Sequence, residues 1–339
     1  MRVIVAAGVA LLILAMLVAW RFVAHVHEPT GGTARTHVLI ERGTTLKPVL
    51  DRLAEDGVLS RPRWLYIYAR LTGATEIRAG EYEITAEQSP VEILAVLHEG
   101  HLKMEQLTLP EGLNRWQVRD LLAEKKWIQP DHFDRLCDDI AFLKASDIPG
   151  PTCEGYLYPE TYTFARGVAA KKLLAEMFRS HNSAYAEVTK RGRGPMNLGH
   201  RELVTLASVV EKETSDGAER PHIACVFYNR LTATPLWRLD TDPTVIYAAL
   251  LRDPTFDGNL KRKHLRQLDS PYNTYKVTGL PPGPIANPGR FALEAVTDPG
   301  RCKDFFFVSM NNGRHVFCPT LDCHNKAVQK WQIDYFRRR

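Results

Sequence analysis

Two glutamates in the string LASVVEKET, Glu211 and Glu213, are the residues best suited by type and spacing to do chemistry in this chain. Leu203, Leu206, Ala207 and Val210 fall at the i, i+3, i+4, i+7 spacing of one helical face, and the next position on that face is Glu213. An acid therefore continues an apolar stripe. Burial there disfavours the charged form, raises the pKa and keeps a proton available near neutral pH. Glycosidic cleavage needs such a group, because the leaving oxygen must be protonated while an oxocarbenium-like centre develops. Glu211 lies about 200° around the same helix and aligns with Val204 and Ser208, so the two carboxylates are not expected in one cleft. A purely structural reading is also open, in which Glu213 pairs with Arg220 or Arg230 and only ties helices together.

The acid-bearing helix is expected over residues 201–213, with a second over 218–231. Upstream, helices are expected over 115–124 and 169–191, and residues 144–155 are loop-like. The string EGYLYPETYTF, residues 154–164, is aromatic and bracketed by Gly and Pro, and reads as a rigid surface element beside a groove. Beyond Thr234, Pro, Gly and Asn dominate until Phe305-Phe306-Phe307-Val308, a candidate buried strand, and a closing helix begins near His324. Nearer the N-terminus, a strand at 37–40, helices at 46–53 and 62–71, a strand at 80–84 and a helix at 90–97 make a small α+β module.

The 339 residues are 45% hydrophobic and 24% charged, the composition of a folded chain long enough for two domains and a targeting segment. A net charge of +5 is too weak an excess to indicate nucleic acid, and no nucleic-acid partner is expected. Residues 3–20 carry no charge, reach the length of a membrane span and lack a convincing cleavage site behind them, which favours an uncleaved single-pass anchor. The polar string HEPTGGTART reads as a linker. Six cysteines show no repeated C-x-x-C spacing; Cys137 with Cys153, and Cys302 with Cys318 or Cys323, are the sequence-local disulfide candidates. His315, Cys318, Cys323 and His324 invite a zinc reading, but their spacing matches no common zinc module, so neither metal nor cofactor is expected.

Six ordered strings closely resemble the YceG-like family of endolytic murein transglycosylases: EGYLYPETY (154–162), LASVVEKET (206–214), VFYNRL (226–231), DTDPTVIY (240–247), SPYNTYKVTGLPPGPIANPG (270–289) and GRHVFCPTLDCHN (313–325). The resemblance implies an α+β protein with a transmembrane anchor over 1–26, a linker over 27–35, a LysM-like module over 36–103 and a YceG-like catalytic domain over 104–339. It implies cleavage between N-acetylmuramic acid and N-acetylglucosamine inside peptidoglycan strands, leaving 1,6-anhydro ends and terminating nascent strands. Glu213, the acid immediately before the Thr of EKET, would be catalytic. Implied partners are peptidoglycan strands, the inner membrane, with the catalytic domain on its extracytoplasmic side, and peptidoglycan synthases. Within the same motifs Asn229, Asp242, Asn273, Tyr275, His315 and Asn325 are candidates to bond sugar hydroxyls and acetamides, and Tyr158, Tyr162 and Tyr272 to stack on pyranose faces. Their alternative roles are architectural, with Asp242-Pro243-Thr244 capping a helix and Gly279 to Gly283 forming a rigid turn. Asp240 stands where the family commonly has Gln, and its charge is expected to alter sugar contacts or to pair with Arg238.

Overall fold

The computed structural model describes residues 2–31, 33–41, 43–100, 104–165 and 168–337. Gly32 of the expected linker, Arg42 and residues 101–103 of the expected module, and the side chains of residues 2–7 lie outside that description. Two compact units divide the chain, one of residues 1–106 with 163–168, the other of 107–162 with 169–339.

In the first unit, α1 (Arg2–His27) contains the stretch Gly8–His27, whose mean hydropathy of 2.2 and length make it able to cross a membrane. Five elements follow: β1 (Arg35–Ile40), α2 (Leu46–Glu55), α3 (Pro62–Thr72), β2 (Gly80–Thr85) and α4 (Pro90–Glu99). Strands β1 and β2 pair antiparallel with Val38 opposite Tyr82. Leu46, Val49, Leu50 and Leu53 form one buried face of α2 and meet Leu65 of α3, Tyr82 and Ile84 of β2, and Ile93 and Leu97 of α4 in a single core. Ser89 and Glu92 close a capping box at the start of α4, where Pro90 occupies the first turn. The end of α1 lies against α3 and α4, where Val26 is buried and Phe22 packs on Trp64.

β3 (Met104–Thr108) leads towards the second unit and pairs with β4 (Thr161–Ala165). Between them lie α5 (Arg115–Glu124), α6 (Pro130–Cys137) and α7 (Ile140–Ala145). Then come α8 (Ala170–Val188), α9 (His200–Glu213), α10 (Arg220–Thr232), α11 (Asp242–Arg252), α12 (Arg262–Gln267) and α13 (Arg290–Thr297). Then follow β5 (Phe306–Ser309) and β6 (His315–Cys318), paired antiparallel, and α14 (Leu321–Val328), which runs on through a π-helical stretch, Gln329–Asp334, into a last turn, Tyr335–Arg337. Helix α9 packs against α10, α11 and α13. Its residues from Leu203 through Glu211 are all buried, so it is a central helix covered all round, not one with a single apolar stripe. Three disulfides, Cys137–Cys153, Cys225–Cys302 and Cys318–Cys323, lie in this unit. The first was a sequence-local candidate; Cys302 instead reaches back to α10, because α10 and the segment after α13 are neighbours only in space.

Helices α12 and α13 occupy the Pro-, Gly- and Asn-rich stretch after Thr234, and α6 and α7 lie largely between 125 and 143, for which no element was expected. The Phe305–Val308 run is less enclosed than expected, with only Val308 buried, because β5 has a partner on one edge alone. The 154–164 string is largely core, not surface. Glu154, Tyr156 and Leu157 are buried, and the fully buried Asn287 pins them, its side-chain oxygen accepting from the Leu157 N–H at 2.9 Å and its amide donating to the Leu113 carbonyl at 2.7 Å. Gly155 makes that turn possible, with φ +89° and Pro284 so near that an added Cβ would meet its Cβ at 2.4 Å and Val204 at 3.1 Å. Gly155→Ala combines left-handed strain with overpacking. It is expected to lower unfolding free energy by about 2–4 kcal/mol, measured by chemical denaturation; an unchanged midpoint would contradict this packing.

Candidate active site

Glu213 is the last residue of α9, and Thr214 leaves the helix in extended conformation. The residue as a whole is half-buried, yet its Oε1 is shut off from solvent and has no hydrogen-bond partner. Burial lifts its carboxyl to about 7; the Thr241 hydroxyl opposes that rise, the Asp242 charge adds to it, and the Arg230 charge opposes it. The Thr241 hydroxyl lies close enough to favour the charged form but falls short of a well-formed bond, since its Oγ1 is also buried without a partner. An orphaned buried carboxyl oxygen is uncommon in a folded protein and is a group prepared to meet something else.

The acid sits against a scaffold made by two loops. Thr241 N–H donates to the Thr274 hydroxyl at 3.1 Å, the Thr244 hydroxyl donates to the Thr241 carbonyl at 2.8 Å, and the Thr244 and Thr274 hydroxyls bond each other at 2.8 Å, all buried. Below them Asn273, fully buried, spends its amide on the carbonyls of Leu265 and Leu268 and accepts from the Tyr275 N–H. These bonds place Asp242 at the start of α11 and bring the Tyr275 hydroxyl to it, donating at 2.7 Å. The Tyr275 phenol is pushed well above its usual range by burial first, then by the bond to Asp242 and the charges of Asp242, Glu213 and Asp240. Asp240 stands at φ +47°, in the left-handed region that Asp tolerates better than most residues, with Arg238 at 3.6 Å. Arg230, buried, is the cation beside this acidic group; its guanidinium donates to the carbonyls of Phe305 and Leu239.

Glu211, two residues earlier, has other company. Arg220 pairs with it at 2.5 Å, and the Gly289 N–H donates to its second oxygen at 3.1 Å. Among the described residues no ion pair reaches Glu213, which removes the structural role weighed for it, since Arg220 is committed to Glu211 and Arg230 to backbone. Glu154 is the third buried acid, also raised to about 7 by burial despite bonds that favour its charge. Its oxygens receive the Arg115 N–H at 3.1 Å and the Tyr247 hydroxyl at 3.0 Å, so it takes the first N–H of α5, whose N-cap is Asn114, and is satisfied where Glu213 is not.

Of the residues singled out in the sequence, Glu213, Asp242 and Tyr275 come together. Asn273 is the support beneath them and has no exposed surface. Asn229 is spent on the carbonyls of Cys302 and Asp304. His315 is held by Glu219, whose carboxylate takes its N–H at 2.9 Å and its Nδ1 at 2.7 Å. Asn325 is exposed on α14, Tyr162 donates to the Tyr158 carbonyl at 2.6 Å, and Tyr158 has Glu160 and Arg290 as charged neighbours. Tyr272 packs beside Tyr247, near Glu154. Thr241 and Thr274 were not anticipated, and Thr244 only as part of a helix cap; they lie inside the quoted motifs, but nothing in their spacing separates buried threonines from exposed ones. The His315, Cys318, Cys323, His324 cluster is broken up by the Cys318–Cys323 disulfide. His222, Cys302 and Asp304 bring potential ligand atoms within 4.8 Å of one another, but the Cys302 sulfur is bonded to Cys225 and is no thiolate.

The raised Glu213 pKa has a consequence for stability. Its folded value of about 7 exceeds the ordinary 4.5, so the folded state binds the extra proton; the group's favourable contribution is complete below about 4.5 and is lost as pH rises through about 7. Glu213→Gln, which mimics the protonated acid, should match the parent near pH 4.5 and become more stable than it by up to about 3 kcal/mol above pH 8. Melting curves of both proteins across pH test this; a difference that does not grow with pH would refute the buried, raised acid.

The model of the YceG-like family matches residues 38–330. An endolytic murein transglycosylase of Bacillus subtilis is 31% identical over 326 residues, covering 90% of this chain and 87% of that protein. Endolytic murein transglycosylases from two strains of Streptococcus pneumoniae are 27% identical over 85% of this chain, which spans only 57% of their length. A crystal structure of a yceG-like protein from Listeria monocytogenes superposes with a TM-score of 0.56 at 31% identity, covering 87% of this chain and 99% of that one.

Proposed function

Because this chain belongs to the YceG-like family, we infer that it is an endolytic murein transglycosylase, a lyase cutting within peptidoglycan strands, and that Glu213 is its acid. The observation that carries the residue assignment is the Glu213 carboxyl, proton-bearing near neutrality, buried and without a hydrogen-bond partner, beside Thr241, Asp242 and Tyr275. Its proton passes to the oxygen of the bond between N-acetylmuramic acid and N-acetylglucosamine as the C1–O bond breaks. The muramyl C6 hydroxyl then attacks C1 and gives its proton to the same carboxylate, so the acid is regenerated, no water is consumed and a 1,6-anhydro end remains. Asp242 and Tyr275 act beside it, the aspartate's charge keeping the Glu213 proton in place and the phenol steadying that aspartate.

In this reading α1 is a single-pass inner-membrane anchor, residues 27–35 are a linker, residues 36–103 are a LysM-like module and residues 104–339 are the extracytoplasmic catalytic domain. Cleavage beside the membrane terminates nascent strands, in association with peptidoglycan synthases.

Glu213→Gln is expected to lose about 10²–10⁴-fold in formation of anhydro-ended products, read by mass spectrometry of digested strands. Glu154→Gln and Glu211→Gln should retain the activity of whatever fraction folds, although Glu211→Gln strips Arg220 of its buried partner and should be less stable by about 3–5 kcal/mol. Parent activity should fall as pH rises past about 7, the carboxyl's value. Turnover by Glu213→Gln would overturn the residue assignment, and reducing ends in place of anhydro ends would overturn the reaction.

The anchor is tested separately. Full-length chain should sediment with membranes and keep its N-terminus, whereas recovery of a soluble form starting near Glu28 would identify a cleaved export signal.

A further inference from the structure

Beside the candidate active site, in the second unit, an open cleft of about 780 Å³ is lined by Arg238, Arg262, Arg266, Lys276, Leu265 and Tyr275. Four of the six are cations. Two carboxylates face them, Asp240 at 3.6 Å from Arg238 and Asp269 at 3.3 Å from Lys276, the latter almost fully exposed. Arg262 and Arg266 form no ion pair among the described residues. They are four apart on α12, a six-residue helix, so they stand on one face, and like charges at that spacing oppose the helix. A local choice that works against its own element is a mark of function. Arg238 is held in place by donating to the Tyr275 carbonyl at 2.8 Å, and Tyr275 is also the residue whose hydroxyl bonds Asp242 beside Glu213. One tyrosine thus forms a wall of both the cleft and the acid site.

Granting the catalytic reading above, we propose that this cleft binds the carboxylates of the peptide substituents carried by the glycan strand. The sugars of such a strand are uncharged, so a cationic cleft has nothing to read on the backbone; its anionic groups are on the peptides attached to the muramyl residues. Arginine suits them, because its planar fork takes a carboxylate through two parallel bonds. A strand whose muramyl C1 is at Glu213 carries its nearest peptide from that sugar or the next muramyl, and the cleft fixes which bond is presented to the acid.

The test uses the full-length chain in detergent with glycan strands of one length in three forms: peptide-bearing, the same strands stripped of charge by converting their carboxylates to amides, and these stripped strands carrying phosphate monoesters. Binding is measured on Glu213→Gln, which leaves the strands uncut, and cleavage on the parent. Peptide-bearing strands are expected to bind about ten-fold more tightly than stripped ones at low salt, with the gap closing by about 0.5 M salt. The doubly substituted Arg262→Gln, Arg266→Gln protein should lose that preference and bind stripped strands as before. Equal binding of peptide-bearing and stripped strands, a preference that survives the double substitution, or a preference for phosphate alone would each overturn the proposal. Failure of the parent to cut any strand would instead sink the catalytic reading, while the binding preference would still be read directly.

Discussion

The buried pair of Glu211 and Arg220 is the interaction on which the second unit depends. It joins α9 to α10, and through the Gly289 N–H on the second carboxylate oxygen it also holds the start of α13. A charge of either sign left alone at that depth would be costly, so the pair fixes how three helices meet more than it adds net stability. Glu213 lies two residues further on, at the end of α9, beside Thr241 and Asp242 at the start of α11.

Three acids end up buried in the same unit, and hydrogen bonding separates them. Glu211 has a cation, Glu154 has a helix N-terminus and a phenol, and Glu213 has an unsatisfied oxygen. A raised pKa alone would have nominated Glu154 equally, because it too is lifted to about 7. The distinction is between a carboxyl that completes the fold and one the fold leaves incomplete, which is the common state of a group awaiting a reacting partner.

Much of this was legible in the sequence where periodicity is strong. Helix α5 was bounded correctly, α2, α3 and α9 within one or two residues, and the strands that become β1 and β2 were found, because each has a clear apolar rhythm or a Pro or Gly boundary. The stretch from 234 to 305 was harder for the converse reason: α12 and α13 are only six and eight residues long, and of α11 only its start at Asp242-Pro243-Thr244 carried a helix signal. Glu213 was legible for a reason only partly right. The apolar stripe pointed to it, but α9 is buried all round, so the stripe did not discriminate it from Glu211. What does is the identity of the neighbours, Arg220 for one and Thr241 for the other, and those come from segments no local pattern connects to α9. Asn229, Asn273 and His315 show the same limit: polar residues in a motif look alike in sequence whether they face a ligand or a carbonyl.

The three disulfides all lie in the second unit, closing loops of 16, 77 and 5 residues. Chain-entropy arguments assign them about 3, about 4.5 and about 2 kcal/mol, a sum comparable to the whole stability of an ordinary domain, about 5–15 kcal/mol. A newly made chain on the reducing side of a membrane lacks all of it, and Cys225 and Cys302 must find each other across α11, α12 and α13. In the extracytoplasmic setting proposed above, an oxidising compartment lets the three bonds form, so the stability they add is gained on the side where the proposed substrate lies.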